Sequence, residues 1–491
     1  MNAEQRRRQE EILRQVDEVI AAGPYSDSWA SLTKHPVPAW YQAAKFGIFI
    51  HWGVYAVPAF GSEWYPRNMY LPGTPEYQHH IETYGPQSSF GYKDFIPMFK
   101  AEKFDAAAWL DLFEEAGARY IMPVAEHHDG FQMYDSALSC WNAAQMGPHR
   151  DVIGELKKEA DKRGIPFCVS DHRAEHCFFF NAGTFYDSDV RDPAYRDFYE
   201  EQQYIDNLQD ISTCPPSVEH MENWLARVCE LADKYRPKIV WFDWWIQNTA
   251  WKPYLKKFAA YYYNRAASWG EEVTINYKFD AFALRSAVFD IERGQQSGIS
   301  PLLWQNDTAI AKNSWGYTDN NVFKNPWDLV ADLVDIVSKN GCLLLNVGPK
   351  ADGTFTEEDT YVLREIGKWL KENGEGIYGT DYWKTFGEGP TEIPSGSFTD
   401  VDRMPYTSAD IRFTCKGPLV YAFVLKYPED GKITIKSLGR DLGLGSDCPV
   451  LSVKTIQGAE CAFSRDEDGL HIQGPAGIRT EYPVCFQILT D

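Results

Sequence analysis

Short apolar runs alternate with amphipathic segments over most of this chain. Eight runs are rich in β-branched and aromatic side chains and lack regularly spaced polar positions, which is typical of strands buried on both faces of a sheet. These predicted strands cover residues 46–51, 120–125, 166–170, 239–243, 273–277, 287–291, 302–305 and 342–347.

Five of these runs follow a segment with the period of an amphipathic helix. Helices are predicted for residues 3–21 at the N-terminus and, further along, for residues 106–116, 152–163, 219–234, 252–268, 327–339 and 359–373. Helices that alternate with buried strands indicate an α/β fold with a parallel sheet, and eight strands predict a (β/α)8-type barrel of the TIM kind. No helical pattern separates the fifth, sixth and seventh runs, so we expect the barrel to be irregular there.

The pattern changes near residue 382. Short segments separated by Gly, Pro, Asp and Lys predict antiparallel strands at residues 411–414, 419–425, 432–435, 450–455 and 484–488. The simplest arrangement for them is a C-terminal antiparallel β-sandwich. The predicted domains are therefore an N-terminal helix and connector over residues 1–37, the barrel over residues 38–381 and the sandwich over residues 382–491.

Composition narrows the class of ligand. The 491 residues carry a net charge of −22, which argues against nucleic acid or an anionic membrane as a partner. Aromatic residues make up 15% of the chain, with 17 Trp and 28 Tyr, more than a core alone usually needs. Clefts that bind sugars use such rings as stacking faces, so a neutral carbohydrate fits better.

The N-terminus and the cysteines bear on the cellular compartment. The first 20 residues are polar and amphipathic and lack the apolar stretch of a signal peptide, so we expect a cytoplasmic protein, or a secreted one if a leader has been removed. Ten cysteines are scattered without a CxxC pair, which indicates reduced thiols and neither a zinc site nor a disulfide frame. No apolar run reaches the length of about 18 residues that a membrane-spanning helix needs.

The candidate functional residues lie at or near the ends of the predicted strands. In a parallel barrel the functional groups sit at the C-terminal ends of the strands. Several of these ends, and the loop after the first strand, combine carboxylates or imidazoles with indoles. The residues concerned are His51, Glu63, Trp64, His127, His128, Trp241, Asp243 and Glu292.

Asp243 and Glu292 suit the cleavage of a glycosidic bond, which needs one carboxylate at the anomeric carbon and one carboxylic acid at the leaving oxygen. Asp243 is flanked by Phe242 and Trp244, where little water would screen its charge against a developing oxocarbenium ion. Two plain alternatives stay open. Asp243 could cap the next helix, and Glu292 could form an ion pair with Arg293.

Longer stretches of the chain resemble the family 29 α-L-fucosidases. The matching motifs are KFGIFIHWGVY at residues 45–55, GSEWY at 61–65, HHDGF at 127–131, WFD at 241–243, SWGY at 314–317 and LLLNVGP at 343–349. The resemblance implies a barrel followed by a β-sandwich and no metal or other cofactor. It also implies a retaining, exo-acting hydrolase that releases terminal α-L-fucose from a fucosylated oligosaccharide or glycoconjugate.

The resemblance also assigns roles by position. Asp243 would be the nucleophile and Glu292 the acid/base, although the surroundings of the acid/base vary within the family. The residues expected to contact fucose are His51, Glu63, Trp64, His127, His128 and Trp241.

Two positions depart from the family pattern. Many relatives carry a sugar-contacting Tyr after the third strand, where this chain has His172, which either substitutes for the Tyr or loses the contact. Many relatives carry an Arg after the fifth strand, where this chain has Lys278, which keeps the charge but not the planar fork. We expect both residues to contact the substrate.

Three other functional interpretations stay open beside that of an α-L-fucosidase. An α-L-galactosidase would share the mechanism, because an apolar pocket rejects one added hydroxyl only weakly. A glycan-binding protein could keep the barrel without catalysis. Residues 172–176 match the HxxEH pattern of a zinc peptidase, but they follow a strand-like run and precede a poor helix. Enzymes of this type are often oligomers, so a homo-oligomer also stays open.

Overall fold

The computed structural model describes residues 1–205, 215–400, 404–440 and 449–491. Eight parallel strands close into a barrel in which each strand pairs with the next along the chain and β8 pairs with β1. The strands are β1 (Phe46–Ile50), β2 (Ile121–Glu126), β3 (Val169–Asp171), β4 (Ile239–Phe242), β5 (Thr274–Tyr277), β6 (Val288–Glu292), β7 (Trp304–Ala309) and β8 (Gly341–Val347). All eight predicted strands and the TIM-like barrel are confirmed.

Helices cover the outside of the barrel. In the described residues the α-helices are α1 (Ala3–Ala22), α2 (Trp29–Leu32), α3 (Ala39–Ala44), α4 (Tyr65–Asn68), α5 (Pro75–Tyr84), α6 (Ala106–Glu115), α7 (Val152–Arg163), α8 (His176–Phe179), α9 (Arg196–Tyr199), α10 (Val218–Tyr235), α11 (Lys252–Trp269), α12 (Pro326–Ser338) and α13 (Glu357–Asn373). The seven predicted helices correspond to α1, α6, α7 and α10 to α13. As expected, no α-helix lies between β5 and β6 or between β6 and β7, stretches that the structure describes throughout.

Apolar side chains fill one part of the barrel interior and polar side chains another. Phe49, Met122, Trp241 and Leu344 belong to one buried cluster drawn from β1, β2, β4 and β8. The strands β5 to β7 instead point polar groups inward. Gln305 accepts a hydrogen bond from the Tyr41 hydroxyl at 2.6 Å and donates one to Asp290 at 2.7 Å. These hydrogen bonds offset part of the cost of burying the polar groups, although Oδ1 of Asp290 has no hydrogen-bond partner among the described residues.

Helix α10 positions the strand that leads to Asp243. The hydroxyl of Ser217 accepts a hydrogen bond from the amide of His220, which caps the N-terminus of the helix. Trp224 is fully buried, and its indole N–H donates to Asp171 at the end of β3 at 2.9 Å. Arg236 adopts φ of 45°, which ends α10 and turns the chain towards β4.

Two antiparallel sheets follow the barrel. Their strands are β9 (Asp381–Glu388), β10 (Ile411–Lys416), β11 (Leu419–Val424), β12 (Lys432–Ile435), β13 (Val450–Thr455), β14 (Ala462–Arg465), β15 (Leu470–Gln473) and β16 (Val484–Thr490). One sheet has the order β13-β16-β11-β10-β9 and the other the order β12-β15-β14. Both contribute to a single apolar core that includes Phe413, Val420, Ile433 and Ile472. The predicted β-sandwich is confirmed.

Three strands of the sandwich were not predicted from the sequence. The strands β9 and β14 form sheet edges, and most of their side chains are exposed or half-buried. Strand β15 has only four residues. Edge strands carry charged and polar side chains that weaken the alternating pattern, so these segments resemble loops in the sequence.

The described residues contain no helix that is both long and apolar enough to cross a membrane. No disulfide joins the eight cysteines in the described part of the chain. The remaining two, Cys214 and Cys448, lie outside the described residues.

A substitution at Gly47 can show how tightly the barrel is packed around β1. A Cβ atom there would lie 2.3 Å from the ring of Tyr120, whereas a Cβ at Gly298 would meet nothing within 4 Å. We expect Gly47→Ala to lower the free energy of unfolding by about 1–3 kcal/mol through overpacking, and Gly298→Ala to leave it nearly unchanged. Urea unfolding of both variants measures this. Equal midpoints for the two variants would contradict the packing described for β1.

Candidate active site

A cavity of about 400 Å³ opens at the C-terminal ends of the barrel strands. Its volume is within the usual range for small-molecule sites. The structure brings all ten sequence-predicted site residues into its lining: His51, Glu63, Trp64, His127, His128, His172, Trp241, Asp243, Lys278 and Glu292. Five further lining residues were not predicted: Trp244, Phe279, Asp307, Trp315 and Phe398.

A larger cavity, of about 660 Å³, lies at the opposite end of the barrel, where the strands begin. Arg163 in its wall is already paired with Asp111 and Glu114, both at 2.6 Å. Functional groups of parallel barrels cluster at the other end. The smaller cavity is therefore the candidate active site.

Asp243 follows directly after β4 and is buried at the floor of the cavity. Its Oδ1 accepts a hydrogen bond from the amide of Trp244 at 2.8 Å, and its Oδ2 lies 3.0 Å from Nδ1 of His172. Burial would raise the pKa of Asp243, but Lys278 and His172 together hold that pKa well below its usual range. The next helix, α11, begins at Lys252, so the helix-cap interpretation of Asp243 is wrong.

Glu292 ends β6 on the facing wall, where its side chain keeps 18% exposure. The ammonium of Lys278 lies 2.5 Å from its Oε2. Arg293 instead donates to the backbone carbonyls of Ala311 and Lys312, at 3.2 and 3.3 Å. The ion-pair partner of Glu292 is therefore Lys278, and the alternative pairing with Arg293 is wrong.

The same ammonium also lies 3.3 Å from Oδ1 of Asp243. Because Lys278 contacts both carboxylates, Oδ1 of Asp243 and Oε2 of Glu292 are at most about 5.8 Å apart, which is compatible with the carboxyl separation of about 5–5.5 Å in retaining glycosidases. Inverting enzymes need a gap of about 6.5–9.5 Å to admit a water. The geometry fits direct attack by a carboxylate.

Asp307 and Asp290 extend this cluster into the wall. Asp307 lies 3.5 Å from the Lys278 ammonium, directly across the sheet from Glu292. Burial and the neighbouring Asp290 raise the pKa of Asp307 well above its usual range. Burial would lower the pKa of Lys278, but Asp307, Glu292 and Asp243 raise it well above its usual value, so the ammonium stays charged.

The pKa of Glu292 moves in the opposite direction to that of Asp243. Burial raises the pKa of Glu292 above its usual range, against the attraction of Lys278, and the negative charge of Asp243 adds to the rise. Two carboxyl groups whose environments push their pKa values apart are the usual arrangement of an acid and a nucleophile in one site.

Four imidazoles form the opposite wall. His51 Nδ1 lies 2.7 Å from Oδ1 of Asn346, and His128 Nδ1 lies 2.9 Å from the carbonyl of His172. His127 Nδ1 is buried without a hydrogen-bond partner. Burial lowers the pKa of all four rings, that of His128 to about 3, so they are neutral at neutral pH. Neutral imidazoles can both donate to and accept from sugar hydroxyls.

Glu63 is oriented by the loop that follows β7. Its Oε2 accepts hydrogen bonds from the hydroxyl of Ser314 at 3.1 Å and the amide of Trp315 at 2.8 Å. The ring of Trp64 lies 5.5 Å from that of His128, and the ring of Trp315 lies 5.2 Å from that of His51. A carboxylate beside indole faces can bind a hydroxyl and an apolar patch of one sugar.

His172 contacts Asp243 and therefore lies beside the reacting centre. Its Nε2 is 2.9 Å from the hydroxyl of Ser170. The other histidine of the HxxEH pattern, His176, has Nδ1 2.9 Å from the carbonyl of His128 and Nε2 2.8 Å from that of Phe198. Because both ring nitrogens of His176 face backbone carbonyls, neither is available to bind zinc together with His172. The structure gives the zinc-peptidase reading no support.

The described residues contain two groups whose ligand atoms are close enough to share a metal ion. One comprises His51, His127 and His172, and the other His128, His172 and Asp243. Both lie inside the sugar-sized cavity. The same neutral imidazoles can bind hydroxyl groups instead.

The unpredicted residues differ in how visible they are in the sequence. Asp307 lies near the C-terminal end of the seventh strand, which is a recognisable position for a functional carboxylate. Trp244 and Trp315 lie within or beside the quoted motifs. Phe279 and Phe398 carry no sequence signal, because a loop phenylalanine has no pattern that distinguishes it.

Comparisons with known proteins show the family to which the chain belongs. The sequence model described as alpha-L-fucosidase matches residues 12–375. The chain belongs to the α-L-fucosidase family. It is therefore a glycoside hydrolase.

Two human members of the family and a bacterial structure show the extent of the similarity. The tissue α-L-fucosidase is 30% identical over 94% of this chain and 90% of its own. The plasma α-L-fucosidase is 32% identical over 84% of this chain and 81% of its own. The α-fucosidase of Thermotoga maritima, solved with a mechanism-based inhibitor, aligns with a TM-score of 0.76 at 30% identity, over 95% of this chain and 100% of that chain.

The contribution of the Lys278 ammonium to the stability of this α-L-fucosidase can be tested. We expect Lys278→Met to lower the free energy of unfolding by about 3–5 kcal/mol at neutral pH, because it leaves buried carboxylates without their cation. Without the ammonium, the pKa values of Asp243 and Glu292 in the folded state rise above their unfolded values. The variant therefore loses further stability as pH rises.

Melting temperatures of wild type, Lys278→Met and the charge-retaining Lys278→Arg at pH 5 and pH 8 measure this effect. The deficit of Lys278→Met should be larger at pH 8, and that of Lys278→Arg should vary little with pH. An equal deficit of Lys278→Met at both pH values would contradict the assigned charges.

Proposed function

We propose that the chain is a retaining, exo-acting α-L-fucosidase that removes terminal α-L-fucose from fucosylated oligosaccharides or glycoconjugates. The observation that carries the proposal is that one buried ammonium contacts both Asp243 and Glu292, which keeps their nearer oxygens at most about 5.8 Å apart. Their opposite pKa shifts suit a nucleophile and an acid.

In the first step, Asp243 attacks the anomeric carbon while the bond from that carbon to the leaving oxygen breaks. Glu292 gives its proton to the departing oxygen, and a covalent fucosyl-enzyme forms. In the second step, Glu292 removes a proton from water, and the water oxygen attacks the same carbon and releases Asp243. Two inversions leave the configuration unchanged.

Lys278 and His172 are positioning residues in this scheme. Both contact Asp243 and stabilise it as a carboxylate, which keeps the nucleophile ionised in a site with little water. Lys278 also holds the Glu292 carboxylate that remains after the first proton transfer. Lys278 thus stabilises both Asp243 and Glu292 in their ionised forms.

The wall of imidazoles and Glu63 would hold the hydroxyl groups of the fucose. His51, His127 and His128 present neutral rings, and Glu63 presents a carboxylate fixed by residues 314 and 315. The indoles of Trp64 and Trp241 supply apolar faces for the C6 methyl group and the ring carbons. A pocket that encloses one terminal sugar favours exo action.

The nucleophile is tested with 4-nitrophenyl α-L-fucoside. We expect Asp243→Ala to lower kcat by about 10³-fold or more, because no covalent intermediate can form. Azide should restore turnover of this variant by entering the space left by the carboxylate, and the product should be the inverted fucosyl azide. NMR should show α-L-fucose as the first product of wild type.

Each alternative reading gives a different result in the same assay. Turnover of the α-L-galactoside at least as fast as that of the fucoside would favour an α-L-galactosidase. Binding of fucose without turnover of either substrate would indicate a glycan-binding protein. A β anomer as first product, or full activity of Asp243→Ala, would contradict the proposed mechanism.

The acid/base is tested through the pH dependence of kcat/KM. Because the pKa of Glu292 is raised, its protonated form persists above the usual range, and activity should fall as pH rises through that value. Glu292→Gln should remove this alkaline limb and slow natural glycans far more than the nitrophenyl substrate, whose leaving group needs no proton. An unchanged alkaline limb in Glu292→Gln would assign the acid/base to another carboxyl group.

A further inference from the structure

Two phenylalanines at the mouth of the active-site cavity are unusually exposed and strained. Phe279 is 53% exposed and Phe398 is 63% exposed. Their backbone φ angles are 54° and 59°, in the left-handed region that residues with a side chain rarely adopt. Both the exposure of a large ring and this backbone conformation cost stability, and such costs concentrate at functional sites.

Phe398 reaches the cavity on a segment that comes from beyond the barrel. Its amide donates a hydrogen bond to the carbonyl of Glu292 at 2.9 Å, and the amide of Thr399 donates to the carbonyl of Arg293 at 2.8 Å. Asp400 then accepts from the hydroxyl of Thr308 at 2.6 Å and pairs with the ammonium of Lys324. The segment is thereby attached to the backbone of the proposed acid/base and to β7.

The close approach of this segment requires a glycine. A Cβ atom at Gly294 would lie 1.7 Å from the carbonyl oxygen of Gly396, so no other residue fits there without movement. The amide of Gly396 donates to the carbonyl of Gln295 at 3.0 Å. The contact of residues 395–400 with the segment after β6 therefore involves a glycine on each side, Gly294 and Gly396.

Phe279 approaches Glu292 by a different route. It directly follows Lys278, whose ammonium contacts Glu292 at 2.5 Å. Phe279 is thus adjacent in the chain to the ion-pair partner of Glu292, and the amide of Phe398 is hydrogen-bonded to the Glu292 backbone. Both rings line the same cavity.

The position of the two rings indicates which part of the substrate they would contact. The acid must lie within hydrogen-bond distance of the leaving oxygen. The group that departs with that oxygen therefore lies beside Glu292, on the open side of the cavity where Phe279 and Phe398 are. Flat aromatic faces favour a partner with a flat apolar face of its own.

We propose that Phe279 and Phe398 form a leaving-group subsite that stacks on the pyranose ring to which the fucose is attached. Galactose is the best candidate, because its axial O4 leaves the hydrogens of C3, C4 and C5 together on one face. The subsite rests on the proposed function, and it makes residues that follow the barrel a part of the substrate site.

The experiment compares two substrates that differ only in the leaving group. α-L-Fucosyl fluoride has a single leaving atom and cannot use the subsite, whereas a fucosyl-galactose disaccharide can. For wild type, Phe398→Leu, Phe279→Leu and Phe398→Trp, the ratio of kcat/KM on the disaccharide to kcat/KM on the fluoride is measured, using the linkage that wild type cleaves fastest. The matched control is Phe463→Ala, which removes a partly exposed ring from strand β14, in the smaller sheet of the sandwich.

Each leucine variant should lower the ratio roughly two- to twelvefold, since loss of an aromatic stacking contact costs about 0.5–1.5 kcal/mol. Phe398→Trp should keep the wild-type ratio, and Phe463→Ala should keep both rates. An unchanged ratio in both leucine variants, or wild type that cleaves the fluoride but no galactose-linked fucoside, would overturn the subsite. Failure of wild type to cleave the fluoride would instead overturn the proposed function and the subsite with it.

Discussion

The buried ammonium of Lys278 is the interaction on which the site depends. Its side chain is only 4% exposed and lies within 3.5 Å of the carboxyl groups of Asp243, Glu292 and Asp307. Like charges this close repel strongly where little water screens them. A single cation between them offsets this repulsion, so carboxyl groups from β6, β7 and the end of β4 can lie close together in the site.

Strand register brings these groups together. Lys278 directly follows β5, whose Tyr277 pairs with Phe289 of β6, and Glu292 of β6 pairs with Asp307 of β7. Three neighbouring strands thus bring Lys278, Glu292 and Asp307 to the same end of the barrel. A shift of any of these strands by one residue would turn its side chain away from the cavity.

The irregular part of the barrel has a structural consequence. Since the fully described stretch from β5 to β7 contains no α-helix, the outside of the barrel at β6 is left open to other segments. Residues 395–400 use this opening and reach the carbonyls of Glu292 and Arg293. The part of the barrel that departs from the regular (β/α)8 pattern is therefore the part where the segment between β9 and β10 enters the active site.

The sequence by itself determined the barrel, the sandwich and ten residues of the cavity lining. Buried parallel strands leave a strong apolar pattern, and a functional residue at a strand end lies next to that pattern, so Asp243 and Glu292 were visible. Only the tertiary structure decided which cation pairs with Glu292, because Lys278 and Arg293 are both near it along the chain. The same holds for Phe398, 106 residues beyond Glu292 in the sequence. Contacts between distant segments depend on packing and backbone hydrogen bonds, which no local pattern encodes.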